Sequence, residues 1–116
     1  MAESVRDLVV WQRSIQLCLA VYSLTARFPK EELYGLTSQM RRASVSIASN
    51  IAEGYGRGTR GEYKQFLGIA RGSVLELETQ LVIANELSYC ELDGYRSVEA
   101  FTGEVSKMLS ALLRKL

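Results

Sequence analysis

Residues 36–88 read LTSQMRRASVSIASNIAEGYGRGTRGEYKQFLGIARGSVLELETQLVIANELS, and this stretch decides the fold class. In its first half Leu36, Met40, Ala43, Ile47 and Ile51 recur at i, i+4, i+7, i+11 and i+15, the spacing of one helix face. The segment Ser44–Ile47 alternates like a strand, but the helical period extends over a longer window and prevails. In the second half Tyr63, Phe66, Leu67, Ala70, Val74, Leu77, Leu81 and Ala84 form a second apolar face of the same period. Between them lies a glycine-rich turn, Gly54–Arg60, in which Thr59 followed by Glu62 is a capping-box pattern that starts the second helix. The stretch therefore reads as two helices, about 32–54 and about 60–88, joined as a hairpin.

Outward from this hairpin the same period continues. Upstream, a helix over about residues 7–27 carries two apolar stripes instead of one. The wider holds Leu8, Trp11, Ile15, Cys18, Leu19, Tyr22 and Ala26; the narrower holds Val10, Leu17, Val21, Leu24 and Phe28. Pro29 stops this helix, because the residue before a proline is pushed out of the α region. Downstream, after a short turn at Tyr89–Glu91, a helix over about 92–115 has Leu92, Tyr95, Val98, Phe101, Val105, Met108, Leu109 and Leu112 on one broad face. Short connections make successive helices antiparallel neighbours, so the expectation is an all-α, up-down-up-down four-helix bundle occupying residues 1–116 as one domain. A chain of 116 residues supports one core and not two.

Composition limits the chemistry. There is no histidine, so the commonest general base and the commonest metal ligand are missing. Two cysteines cannot build a structural zinc site, and Glu76 and Glu78 point in different directions from one helix. Lys30, Lys64, Lys107 and Lys115 fall at solvated positions, so no lysine is placed to activate a nucleophile. The expectation is no enzyme, no catalytic residue, no metal and no cofactor. Gly56-Arg57-Gly58-Thr59-Arg60-Gly61 matches G-x-G-x-x-G, but a helix precedes it where a dinucleotide fold needs a strand, so it reads as an interhelical turn. No apolar run approaches the roughly 18 residues that span a bilayer, and the N-terminus lacks the basic and apolar regions of a secretory signal. A cytoplasmic protein with reduced Cys18 and Cys90 is expected, with no membrane partner. Cys18 and Trp11 read as core residues. Asn50, at the edge of the inner face of its helix, reads as a structural hydrogen bond to a neighbouring helix.

Two surfaces suggest partners. The narrow stripe Val10, Leu17, Val21, Leu24 and Phe28 has no place in a bundle that uses one stripe per helix, and Gly68, Gly72, Leu75 and Thr79 lie on a narrow face away from the core stripe of their helix. Glycine inside a helix costs about 0.5–1 kcal/mol relative to alanine, so two glycines one turn apart point to close approach by another subunit. These nine residues are the expected subunit interface of a homo-oligomer. Charge is also unevenly spread. Residues 41–71 carry six bases and two acids, whereas residues 72–104 carry one base and seven acids, although the net charge of the chain is only +1. Arg41, Arg42, Tyr55, Arg57, Arg60 and Lys64 are therefore the candidate nucleic-acid contacts, centred on the tip of the hairpin, where arginine beside an aromatic suits phosphate contact and base stacking. The competing reading is a solvated turn whose arginines pair with nearby glutamates.

The stretches FPKEELYGLTSQMRRASVSIASNIAEGYGRGTRGEY (Phe28–Tyr63) and FLGIARGSVLELETQLVIANELSY (Phe66–Tyr89), with the opening LVVWQRSIQL, resemble the four-helix-bundle proteins encoded in bacterial 23S rRNA intervening sequences. The most specific motifs are SNIAEG, Ser49–Gly54, and ARGS, Ala70–Ser73; one departure is Ala48, where the family usually has a proline. The resemblance implies an antiparallel bundle assembled as a homopentameric ring. It also implies similarity to the accessory proteins of diversity-generating retroelements, basic barrels that bind nucleic acid and a reverse transcriptase. The function expected is a non-enzymatic, homo-oligomeric helical scaffold associating with RNA or a ribonucleoprotein; the alternative is a protein–protein adaptor without nucleic-acid binding.

Overall fold

A computed structural model describes residues 4–116. Its four long helices are α1 (Val9–Thr25), α2 (Leu36–Gly56), α3 (Arg60–Glu86) and α4 (Leu92–Lys115), with 3₁₀ turns at Val5–Asp7 and Lys30–Glu32 and no strand among the described residues. Each helix packs on the next in sequence, α4 closes on α1, and the diagonal pairs α1/α3 and α2/α4 do not meet. The result is the four-helix bundle expected from the periodicity, 43 Å long and 24 × 21 Å across. The strand-like alternation at Ser44–Ile47 lies inside α2, which runs unbroken through Ala48.

Helix ends follow local chemistry. After Thr25 the chain turns through Ala26–Phe28 to Pro29, and α2 begins only at Leu36, because Lys30–Glu32 forms a separate 3₁₀ turn instead of a first helical turn. Glu32 then acts from a distance: its Oε1 accepts from the Leu36 N–H at 3.1 Å, which satisfies one of the free donors at the start of α2. At the start of α3 the Thr59 hydroxyl accepts from the Glu62 N–H at 3.2 Å and donates to the Glu62 carboxylate at 2.9 Å. The end of α3 is a Schellman closure. Ser88 takes φ 63°, the Tyr89 N–H reaches the Ala84 carbonyl at 3.0 Å, and the Ser88 N–H reaches that of Asn85 at 2.9 Å.

The core contains Met40, Ile47 and Ile51 from α2, Leu67, Val74 and Leu77 from α3, and Val98, Val105 and Leu109 from α4, all fully buried. Leu17 and Val21 of α1 join them. Gly54 lets α2 and α3 approach closely beside the hairpin: a Cβ there would come within 2.7 Å of the Phe66 Cβ. This gives a physical role to the glycine of SNIAEG.

Candidate interaction surfaces

The two stripes of α1 are assigned the opposite way from the sequence expectation. Val10, Leu17, Val21, Leu24 and Phe28 are the buried stripe of the bundle and are not available to a second subunit. The wider stripe is the outer one: Leu8, Trp11, Ile15 and Cys18 are half-buried at its edge, and Leu19 and Tyr22 are 64% and 42% exposed. Ser14 and Thr25 concealed the buried stripe. Both are polar, both are buried in it, and both return their hydroxyls to their own helix, Ser14 to the Val10 carbonyl at 2.7 Å and Thr25 to that of Val21 at 2.8 Å. A hydroxyl satisfied this way can occupy a core position without an external partner.

The exposed residues of α1 adjoin a groove of about 610 Å³. Tyr22 forms one wall, Thr37, Ser38, Arg41, Arg42, Val45 and Ser46 of α2 form the floor, and Leu33 and Tyr34 from the α1–α2 connection overhang it. Tyr34 is 93% exposed. Arg41 is fixed in place: its guanidinium lies 4.6 Å from the centre of the Tyr22 ring, and its Nε donates to the Thr25 hydroxyl at 2.9 Å. The sequence reading missed this site. The signal was present in two apolar residues, Leu33 and Tyr34, inside a short polar connection, and in Val45, which stands off the inner face of α2.

On α3 the expected narrow face is open. A Cβ at Gly68 or Gly72 would meet nothing within 4 Å, and Leu75 is 56% exposed. Thr79, also exposed, turns its hydroxyl back to the Leu75 carbonyl at 2.9 Å. Val82 and Ile83, also exposed, extend the face by one turn. Thus α3 buries one apolar face and presents a second to solvent.

The six candidate nucleic-acid residues do not form one patch. Arg41 and Arg42 stand near the start of α2 and Arg57 just past its end, about 24 Å apart at 1.5 Å per residue. At the tip Arg57 pairs with Glu53 at 3.0 Å, approaches Glu62 at 3.7 Å and lies 5.2 Å from the centre of the Phe66 ring. Tyr55 packs edge-on against Tyr63, with ring centres 6.1 Å apart. The solvated-turn reading therefore describes Arg57. Arg60 and Lys64 are exposed and make no ion pair among the described residues. With Arg71 they fall within an arc of about 40° on α3. Glu78, Leu81 and Val82 share a cleft with Tyr95, Glu99, Thr102 and Gly103 of α4. Continued in the same antiparallel register, that pairing brings Arg71 level with Lys107 and Lys64 level with Arg114. The seam between α3 and α4 is thus acidic at one end and basic at the other.

Other polar groups tie the helices together. Ser46 and Ser73 join α2 to α3 at 2.9 Å, and the Asn50 amide supports Ser46 by donating to its carbonyl at 2.8 Å and its hydroxyl at 3.0 Å. The Tyr89 hydroxyl donates to Glu32 at 3.0 Å, which raises its pKa above the ordinary 10.0, with burial as the second cause. Burial pushes the Cys90 thiol up as well, which disfavours its reactive thiolate. Cys18 and Cys90 are both free. Among the described residues no three His, Cys, Asp or Glu side chains are grouped to hold a metal, and no helix is long and apolar enough to cross a membrane.

No curated protein matches the chain. Among solved structures, a protein of unknown function from the S23 ribosomal protein family of Bacteroides thetaiotaomicron superposes with a TM-score of 0.83. It is 23% identical, and the alignment covers 90% of this chain and 98% of that one, a likeness of fold. The sequence itself matches the 23S rRNA-intervening sequence protein family over residues 6–111, nearly the whole bundle including the glycine-rich hairpin. By that match the chain belongs to the 23S rRNA-intervening sequence proteins.

Proposed function

We propose that this protein is a non-enzymatic, cytoplasmic, homo-oligomeric scaffold that presents a basic surface to RNA or a ribonucleoprotein. One observation carries the reading. The core is complete within one chain, yet two further apolar surfaces remain outside it, the α1–α2 groove and the outer face of α3. Grouped exposed apolar side chains rimmed by polar residues suit an interaction site. The subunit number, five, comes from the family resemblance, as does the kinship with accessory proteins of diversity-generating retroelements. The RNA partner is supported by the family's description as 23S rRNA-intervening sequence proteins and by Arg60, Lys64 and Arg71 on one side of α3. A ring repeats that row in every subunit, so weak single contacts multiply.

Light scattering after gel filtration tests the assembly, with a mass of several chains expected at micromolar concentration. RNA affinity across a salt series tests the partner. Phosphate contacts make log affinity fall linearly with log salt, and replacing Arg60, Lys64 and Arg71 together by alanine should flatten that slope by about 2. An oligomer that binds no RNA at low salt would be a protein–protein adaptor instead.

A further inference from the structure

We infer that the α1–α2 groove receives the outer face of α3 from a second copy of this chain, head to tail, with the two bundles side by side at the same height. The inference rests on the self-association proposed above and names the two surfaces that meet.

The two surfaces differ and face different ways. Helices α1 and α3 are diagonal in the bundle, so the groove between α1 and α2 opens away from the outer face of α3. A contact between identical patches would leave one of these surfaces uncovered in every subunit. A contact between the two different patches covers both. The chemistry of the two also matches. The groove offers the apolar surfaces of Tyr22, Leu33, Tyr34 and Val45 beside Arg41 and Arg42. The face offers Leu75, Val82 and Ile83, with the exposed Glu86 in line with them; Glu76, nearer α2, already shares a cleft with Arg42 of its own chain. Gly68 and Gly72 continue the face without side chains, which permits a close approach.

Axial position adds an independent argument. Ser46 meets Ser73 across the α2–α3 contact, and Gln39, Arg42 and Ala43 share a cleft with Glu76. Counting outward along the antiparallel pair, residues 36–45 of α2 stand level with residues 74–83 of α3. The groove and its complement therefore lie at one height on different sides of the molecule. A head-to-tail contact closes into a ring when the rotation between neighbours divides a full turn and leaves no rise; an axial offset would generate a filament. In such a ring every basic α3–α4 seam lies at the same end.

Two single variants and their mixture test this. Val45→Asp disables the groove and Val82→Asp disables the face; both side chains are exposed in one chain, at 43% and 54%, so neither change enters the core. Wild type is expected as an oligomer and each variant alone as a single chain. The equimolar mixture should give two chains and nothing larger, because one intact groove meets one intact face and the complementary pair is disabled on both sides. Circular dichroism confirms that each variant is folded. Tyr34→Asp and Ile83→Asp repeat the two arms at other exposed positions. An oligomeric wild type whose groove variant still assembles alone, or whose mixture stays at one chain, overturns the head-to-tail pairing and leaves self-association standing. A wild type that runs as one chain overturns both and leaves the groove to a different protein.

Discussion

Helix α1 carries two apolar stripes of similar strength, and the bundle buries the narrower. The buried stripe has Val10, Leu17, Val21, Leu24 and Phe28 interrupted by Ser14 and Thr25; the outer one has seven apolar residues including the only tryptophan. Counting apolar residues ranks the outer stripe first. What separates the two is the shape of the side chains and the fate of the polar ones. Ser14 and Thr25 cost little inside because each bonds its own helix at i−4, and Gly94 of α4 accommodates Leu24 closely, since a Cβ there would lie 2.9 Å from the Leu24 Cδ1. The outer stripe is covered only along its edge, where Leu8 and Trp11 pack against the core, and its Leu19 and Tyr22 remain exposed.

The comparison is most directly broken by truncating one leucine from each stripe. Leu17→Ala removes a fully buried side chain and should cost about 2–5 kcal/mol of stability. Leu19→Ala, two positions on, should change it by less than about 0.5 kcal/mol. Urea unfolding of the two variants checks this, and equal losses would mean that the assignment of the stripes is wrong.

Glycines extend the same contrast between a covered face and an open one. Gly54→Ala places a Cβ 2.7 Å from the Phe66 Cβ, at the base of that side chain, where a rotamer change gives no relief. The helices must shift, at a cost of about 1–3 kcal/mol. Gly72→Ala meets nothing within 4 Å and should stabilise the isolated chain by about 0.5–1 kcal/mol through helix propensity. Thermal melts distinguish the pair. A Gly72→Ala variant that gains stability as a single chain but assembles less well would sharpen the contrast, because it would separate the fold from the interface.

The smallest effect lies at the end of the buried stripe, where the Phe28 ring meets Tyr89 with centres 5.6 Å apart. The Tyr89 pKa is raised in the folded state by its bond to Glu32, so its stabilising contribution is complete below the ordinary value of 10.0 and is lost as pH rises through the higher folded value. Tyr89→Phe should therefore make the decline of stability above pH 10.0 shallower, as read from melting temperatures across an alkaline series. An unchanged alkaline slope would show that this hydroxyl does not distinguish the folded from the unfolded chain.

Much of the architecture was legible from the residues. Helix periodicity, the Thr59–Glu62 cap and the rejection of G-x-G-x-x-G as a dinucleotide loop depend on neighbours within a few positions, and the backbone obeys them locally, whereas α1 ends at Thr25, before Pro29 can act on it. Asn50, expected to bond a neighbouring helix, instead binds Ser46 four residues back on its own helix, and Ser46 makes the link to Ser73. The surfaces were far less legible. Charge counted along the sequence joined Arg41 to Arg57, which a straight helix holds apart. It also missed the alignment of Arg71 with Lys107, which arises only when α3 and α4 lie antiparallel.

The sequence by itself determined four amphipathic helices, their order and their punctuation, because hydrogen bonding and apolar periodicity act within one or two turns. Only the tertiary structure decided which stripe of α1 is inside, that the connection carrying Leu33 and Tyr34 overhangs a groove, and that this groove stands level with the open face of α3. Each of these depends on residues brought together from different helices, and an apolar stripe becomes core or surface only when a neighbour covers it or leaves it bare.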